Sequence, residues 1–332
     1  MSNKTAFVTG ITGQDGSYLS ELLLDKGYKV IGLKRYSAGE DKNRLKHVSH
    51  LMQNNNFIIE SGDICDSASM INLLAEHKPD EVYNLAAQSH VGESFRTPIN
   101  TTNINAVGPL NILEAIRINN LDNTRFYQAS TSELFGDIEG PQSEETPFSP
   151  VSPYACAKLY AHNVTATYRK SYNMYACSGI LFNHESPRRG EHFVTRKITK
   201  AAANIKLGNQ DILELGNLKA KRDWGFAGDY VEAMWLMLNQ EKAEDYIIAT
   251  GETHEVGEFV EEVFSLAGLK VKDHVRINPK FYRPHDVPLL LGDSRKAERE
   301  LGWKRKVDFK KLARMMYEAD LEILENERNQ NE

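Results

Sequence analysis

The feature that most restricts how this 332-residue chain can fold is a glycine-spaced segment near its start. Thr5-Ala6-Phe7-Val8-Thr9 is an apolar, strand-like run, and Gly10-Ile11-Thr12-Gly13-Gln14-Asp15-Gly16 follows it directly. Ser17 to Lys26 then carries Tyr18, Leu19, Leu22 and Leu23 at helical spacing. Glycines let the backbone turn tightly, and the helix N-terminus brings free amides and a positive dipole end against an anion. A glycine-rich turn alone is an ordinary surface loop; a strand before it and a helix after it make it a phosphate loop for a dinucleotide.

Apolar runs and helical patterns alternate beyond it. Tyr28 to Leu33, Phe57 to Glu60, Glu81 to Ala86, Arg125 to Ala129 and Tyr175 to Leu181 read as strands. Ser67 to Glu76, Thr102 to Ile118 and a stretch after Pro153 read as helices. This alternation predicts an α/β fold, a Rossmann-type doubly wound parallel sheet covered on both faces. After about Asn183 the pattern loosens, with a helix near Val231 to Leu238 and a strand at Tyr246 to Ala249. Residues 1–182 are expected to form the dinucleotide-binding domain, with some later segments returning to it. Residues 183–332 are expected to form mainly a smaller mixed α/β substrate lobe over the sheet's carboxyl edge, where ligands of such folds bind. The polar run Glu322 to Glu332 is expected to fray.

Composition narrows the partners. A net charge of -6 gives no basic field for nucleic acid, so an anionic ligand needs a local site. Cys65, Cys156 and Cys177 cannot all pair within one chain, and no Cys/His cluster suggests a metal. Unpaired thiols, the absence of a signal-like apolar start and the absence of a membrane-length apolar stretch point to a cytoplasmic protein.

Two segments carry chemistry. Tyr154-Ala155-Cys156-Ala157-Lys158 follows Ser152-Pro153, so Tyr154 and Lys158 would project one turn apart from the start of a helix. Lowering a tyrosine from its usual pKa of about 10 toward 7 takes roughly 4 kcal/mol. An exposed ion pair supplies only ~0–1 kcal/mol, so a working tyrosinate needs Lys158 in a water-poor cleft, helped by the positive nicotinamide ring. YxxxK is otherwise a common helix surface. Ser130-Thr131-Ser132-Glu133 follows the Arg125 to Ala129 strand. Its hydroxyls would serve equally as a helix cap, but Glu133 is a suitable base for a proton alpha to a carbonyl. After the second strand stand Lys34-Arg35-Tyr36-Ser37 and no acid; Arg35 therefore suits the 2'-phosphate of NADP, the alternative being a solvated pair. Asp63 either meets the adenine edge or caps the next helix.

Together these residues resemble the extended short-chain dehydrogenase/reductase superfamily and, within it, the GDP-mannose 4,6-dehydratase family. The resemblance covers nearly the whole chain. It is densest at Thr9 to Tyr18, Tyr83 to Val91, Phe126 to Phe135 and Ser152 to Tyr160, and most specific at Asn183-His184-Glu185-Ser186-Pro187-Arg188-Arg189 and Arg222-Asp223-Trp224-Gly225. It implies GDP-mannose as substrate, NADP as cofactor, and a catalytic set of Thr131, Glu133, Tyr154 and Lys158. Cofactor contacts are implied for Gly10, Thr12, Gly13, Gln14, Asp15, Gly16, Arg35, Asp63, Ile64, Leu85, Ala86, Ala87, Ser89, His184 and Arg189, besides Tyr154 and Lys158. Substrate contacts are implied for Ser89, Thr131, Ser132, Glu133, Asn183, Lys197, Asn217, Arg222 and Arg283, whereas Arg188 and Arg196 read as surface charge. The resemblance also implies a homodimer or homotetramer paired through helices beside Tyr154. The chain departs from the family's usual pattern in having Tyr36 after Arg35, Asn100, a shorter stretch between Leu269 and Asn278, and Asp286 after Tyr282-Arg283-Pro284. Competing readings are a 4-epimerase or reductase on the same fold, which has no need of Glu133; a dehydratase of another GDP-sugar such as a heptose; and a dinucleotide sensor, which need not retain Tyr154, Lys158 or Glu133.

Overall fold

The computed structural model describes residues 4–35, 45–282 and 285–331. Seven parallel strands form the central sheet: β1 (Thr5–Thr9), β2 (Lys29–Lys34), β3 (Phe57–Ser61), β4 (Glu81–Asn84), β5 (Arg125–Ala129), β6 (Ala176–Leu181) and β7 (Tyr246–Ile248). Their order is β7-β6-β5-β4-β1-β2-β3, so the direction of winding reverses between β1 and β4. That reversal opens a crevice at the strands' carboxyl ends. β7 comes from the second half of the chain and completes the sheet against β6.

Alternation along the strands separates two cores. Ala6 and Val8 face α1 (Gln14–Asp25) and α6 (Ala227–Leu238), burying Leu19, Leu23, Val231 and Met234. Phe7 faces the other way, with Met70 and Leu74 of α2 (Ser67–His77), Ile112 and Ile116 of α3 (Gly108–Ile118) and Tyr168 of α4 (Pro153–Ser171). Each such side chain contributes about 1.5–3 kcal/mol when fully buried. A third core joins α5 (Val194–Lys206), α7 (Val256–Ala267) and α8 (Phe309–Asn331) around Trp224, Phe259 and Met316.

Local chemistry explains the boundaries. α1 starts at Gln14, three residues before the expected Ser17, because Gly13 itself is the N-cap. Asp66, not Asp63, caps α2 by accepting from the Ala68 and Ser69 amides; Asp63 instead forms a turn onto the Cys65 amide. The expected helix from Thr102 is interrupted by a wide turn at Asn103–Val107 ahead of Pro109, which has no N–H for a regular helical bond. Residues 322–331 are helical as the end of α8; Leu321 and Leu324 extend its packed face, and residues 325–330 beyond them are exposed.

Candidate active site

The glycine loop lies at the switch point. Gly10 has φ +68, and a Cβ there would stand 2.9 Å from the Ala86 nitrogen of the β4 exit. A Cβ on Gly16 would fall 2.4 Å from the Gly10 oxygen. Gly13, exposed, caps α1 with no side chain in front of the helix's first amides. This cradle suits a pyrophosphate. Thr12, Leu85, Ala86 and Ala87 line it half-buried, with Ser89 exposed beyond them.

Gln14 and Asp15 do not point away from the protein. Gln14 Nε2 donates to the His184 carbonyl at 3.1 Å, its Oε1 accepts from Ser186 Oγ at 2.8 Å, and His184 Nε2 lies 2.8 Å from Asp15 Oδ2. These contacts fasten the loop to the segment after β6. Burial would push His184 down and Asp15 up. Their mutual attraction outweighs it, holding the imidazole above and the carboxyl below their ordinary ranges. Arg189 follows, its Nε 3.1 Å from Glu185 Oε2 and its guanidinium 3.6 Å over the Phe193 ring. At the end of β2, Arg35 is exposed beside the Cys65 turn, while Ile64 is buried against Gly108.

Ser152 caps α4 through the Ala155 amide, with Pro153 in the first turn, so Tyr154 and Lys158 enter the protein on one face. Both are buried, and Lys158 Nζ donates to the Ala129 carbonyl at 3.0 Å. Thr131 begins the short helix Ser132–Phe135 and accepts from the Glu133 amide. Thr131, Ser132 and Glu133 are all buried, and the Glu133 carboxylate has no cationic partner among the described residues. The protein's own groups do not lower the phenol; the expected fall was one to which the positive nicotinamide ring contributes. Burial raises Tyr154 to about 12; the Thr131 hydroxyl and the Arg189 charge oppose this, while the Glu133 charge adds to it. Lys158, lowered by burial to about 8 against the pull of Asp15, is committed to Ala129.

A second group comes from residues after β6. Lys197 on α5 donates to the Glu214 carbonyl at 2.6 Å and lies 3.8 Å over the Phe281 ring, at the wall of a pocket of about 370 Å³. Arg222 is buried and donates to the Val287 carbonyl at 2.8 Å and to Asp286 at 3.1 Å. Asn217 folds back on the Lys219 amide, and the Asn183 Oδ1 is buried with no hydrogen-bond partner among the described residues. Arg283 lies outside the described residues, as do Tyr36 and Ser37.

Two arginines read as surface charge are not. Arg196 is 3% exposed, paired with Asp320 of α8 at 2.6 Å, and donates to the Pro187 and Arg189 carbonyls. Arg188 bonds Glu21 at 2.6 Å and covers the Tyr18 ring. A third residue went unread: buried Asp223, between Arg222 and Trp224, accepts from the Thr250 amide and hydroxyl and from the Gly251 and Gly292 amides. Its only sequence signal was a carboxylate inside the specific Arg222-Asp223-Trp224-Gly225 string.

A doubly wound sheet, a glycine cradle at its switch point and a buried Tyr–Lys pair on the helix beside it define an extended short-chain dehydrogenase/reductase. The UDP-glucose 4-epimerase of Thermus thermophilus, solved in complex with NAD, shares the fold at TM-score 0.82 and 26% identity, over 95% of this chain and 98% of that one. Sequence is more specific. The family model described as GDP-mannose 4,6 dehydratase matches residues 7–316. GDP-mannose 4,6 dehydratase 1 of Arabidopsis thaliana is 55% identical over 98% of this chain and 92% of its own length. The Homo sapiens GDP-mannose 4,6 dehydratase is 48% identical over 98% and 93%. The chain belongs to the GDP-mannose 4,6-dehydratase family.

Proposed function

We propose that this chain converts GDP-mannose to GDP-4-keto-6-deoxymannose and water, with NADP as its bound cofactor. The observation that carries this reading is Glu133, a buried carboxylate with no cationic partner among the described residues, acting electrostatically on Tyr154. A hydride-transfer site of the epimerase or reductase kind has no use for it; a dehydratase needs a base for the C5 proton. When bound, the nicotinamide supplies an acceptor for the C4 hydride and returns that hydride to C6.

The chain's own groups do the rest. Gly10, Thr12, Gly13, Gln14, Asp15 and Gly16 hold the pyrophosphate; Leu85, Ala86, Ala87 and Ser89 form the floor; His184 and Arg189 close the side. Arg35 takes the 2'-phosphate, and the absence of an acid at the end of β2 favours NADP over NAD. Asp63 and Ile64 border the adenine. Tyr154 takes the O4 proton, with Lys158 holding positive charge nearby and Thr131 hydrogen-bonding the phenol. Glu133 then removes the C5 proton, acidified by the C4 ketone, and passes a proton to O6, which leaves as water; once C6 has its hydride, C5 takes up a solvent proton and Tyr154 gives the O4 proton up to solvent, which restores both groups. Ser132 and Asn183 border the sugar, and Lys197, Asn217, Arg222 and Arg283 hold the GDP moiety.

The assembly is a homodimer or homotetramer. Ile99, 74% exposed, and Tyr160, 46% exposed, lie on the packed helices Pro98–Thr102 and α4, an apolar surface beside Tyr154 that suits a second copy. Three free cysteines suit a reducing, cytoplasmic setting, and among the described residues no helix is long and apolar enough to cross a membrane.

Incubation with GDP-mannose in heavy water tests the reaction. Mass spectrometry should find loss of one water and solvent deuterium at C5 without added reductant. Glu133→Gln should abolish turnover while cofactor still binds; a fully active Glu133→Gln variant would remove the assignment.

A further inference from the structure

Four polar side chains interrupt the apolar sheet in a single register row. Thr9 of β1 stands opposite Asn84 of β4, Asn84 opposite Gln128 of β5, and Gln128 opposite Ser178 of β6. All four are buried, and the chemistry above uses none of them. Three are joined in series. Thr9 Oγ1 donates to Asn84 Oδ1 at 2.7 Å, Asn84 Nδ2 to Gln128 Oε1 at 2.8 Å, and Gln128 Nε2 to the Ala129 carbonyl at 2.7 Å. That carbonyl is the one that accepts Lys158 Nζ.

The direction of this chain is forced. Thr9 Oγ1 accepts the Leu85 and Ala86 amide protons at 3.1 and 3.0 Å, which fills both lone pairs and leaves its own proton for Asn84. Asn84 must then present its NH2 to β5, Gln128 its oxygen to Asn84, and the Gln128 NH2 is left facing Ala129. Both amide dipoles turn their positive ends toward Lys158. Aligned bonds of this kind polarise one another in a buried setting.

We propose that Asn84 and Gln128 are positioning residues for Lys158, acting through the Ala129 carbonyl. A carbonyl oxygen has two lone pairs. Gln128 occupies one, so the ammonium can use only the other, and the flexible lysine stem is held in one place. The far end of the chain sits on the amides of the β4 exit and on Thr9, next to Gly10. The lysine is thereby registered against the glycine cradle. This inference rests on the proposed function for the role of Lys158 and on the hydrogen-bond series for everything else.

The test uses the full chain labelled with lysine carrying ¹³C at Cε, the Lys158 resonance being assigned by its loss in Lys158→Met. Gln128→Met and Asn84→Leu remove a dipole whose positive end faces the ammonium, so the Lys158 titration midpoint should move upward in each. Turnover of GDP-mannose should fall about tenfold or more with KM within about twofold, since displacing a catalytic group by ~1 Å can cost 10²-fold. The Asn84→Leu/Gln128→Met double variant should be no slower than the slower single, because both break one series. A folded Gln128→Met or Asn84→Leu protein with an unmoved Lys158 titration overturns the proposal. So does a double variant whose losses multiply. Should Gln128→Met not fold, Thr9→Val breaks the series at its other end and is read the same way. If the wild type leaves GDP-mannose unchanged, the proposed function falls, and the titration still decides for or against the series.

Discussion

Replacing Asp320 by leucine takes from Arg196 the carboxylate that makes its burial tolerable. Arg196 Nε lies 2.7 and 2.9 Å from the two Asp320 oxygens, its NH2 group 2.6 Å from one, and Thr199 Oγ1 donates to the same carboxylate at 2.6 Å. Both residues are about 3% exposed, so water cannot replace the lost partner. Breaking a buried pair from one side costs about 3–5 kcal/mol, because the remaining charge stays desolvated. That is a large part of the roughly 5–15 kcal/mol that holds a domain together. Arg196→Met/Asp320→Leu removes both charges and should recover most of the loss. It still strands the Pro187 and Arg189 carbonyls that Arg196 satisfies, leaving a deficit of about 1–2 kcal/mol. Urea unfolding of the two single variants and the double measures this, and hydrogen exchange should place the loosening in α8 and in residues 187–193. A cost below about 1 kcal/mol for Asp320→Leu, or a double variant weaker than that single, would refute the reasoning.

Three further outcomes follow from the geometry. Burial raises Asp223 from 3.8 to about 6. A folded-state pKa above the unfolded one means that ionising Asp223 costs stability, fully above pH 6 and not at all below 3.8, roughly 3 kcal/mol in total. Unfolding measured from pH 4 to 7 should show this fall in the wild type and not in Asp223→Asn; equal slopes would contradict it. Gly16→Ala forces a Cβ to within 2.4 Å of the Gly10 oxygen and 2.7 Å of Ile11 Cα, both backbone, so NADPH binding followed by fluorescence should be lost. Unchanged affinity would mean the loop is not the pyrophosphate cradle. Arg35→Ala should weaken NADP by about 1.5–3 kcal/mol, the worth of one charged hydrogen bond, and leave NAD nearly unaffected; equal losses would take the 2'-phosphate from Arg35.

Local rules were enough wherever one residue's chemistry fixed the backbone. Gly10 to Gly16 between an apolar strand and an amphipathic helix, Ser152-Pro153 ahead of Tyr154, and the run Arg125 to Ala129 all led to the structures that form, because turns, caps and strand periodicity depend on near neighbours. The same rules brought Thr131, Glu133, Tyr154 and Lys158 into consideration together, on strand ends and helix starts that a doubly wound sheet gathers at one edge.

Charges and partners were a different matter. Arg196 looked like a surface residue until α8 brought Asp320 to it from 124 positions away. Lys158 was expected to serve Tyr154, yet its ammonium is held by a carbonyl 29 residues distant, in a series that begins on β1. Asp223, a carboxylate inside a specific string, did not show that the segments at Thr250–Gly251 and Gly292 would both hang from it. A helix or a strand follows from spacing along the chain. The cost of burying a charge, and the partner that offsets it, exist only once distant segments have met.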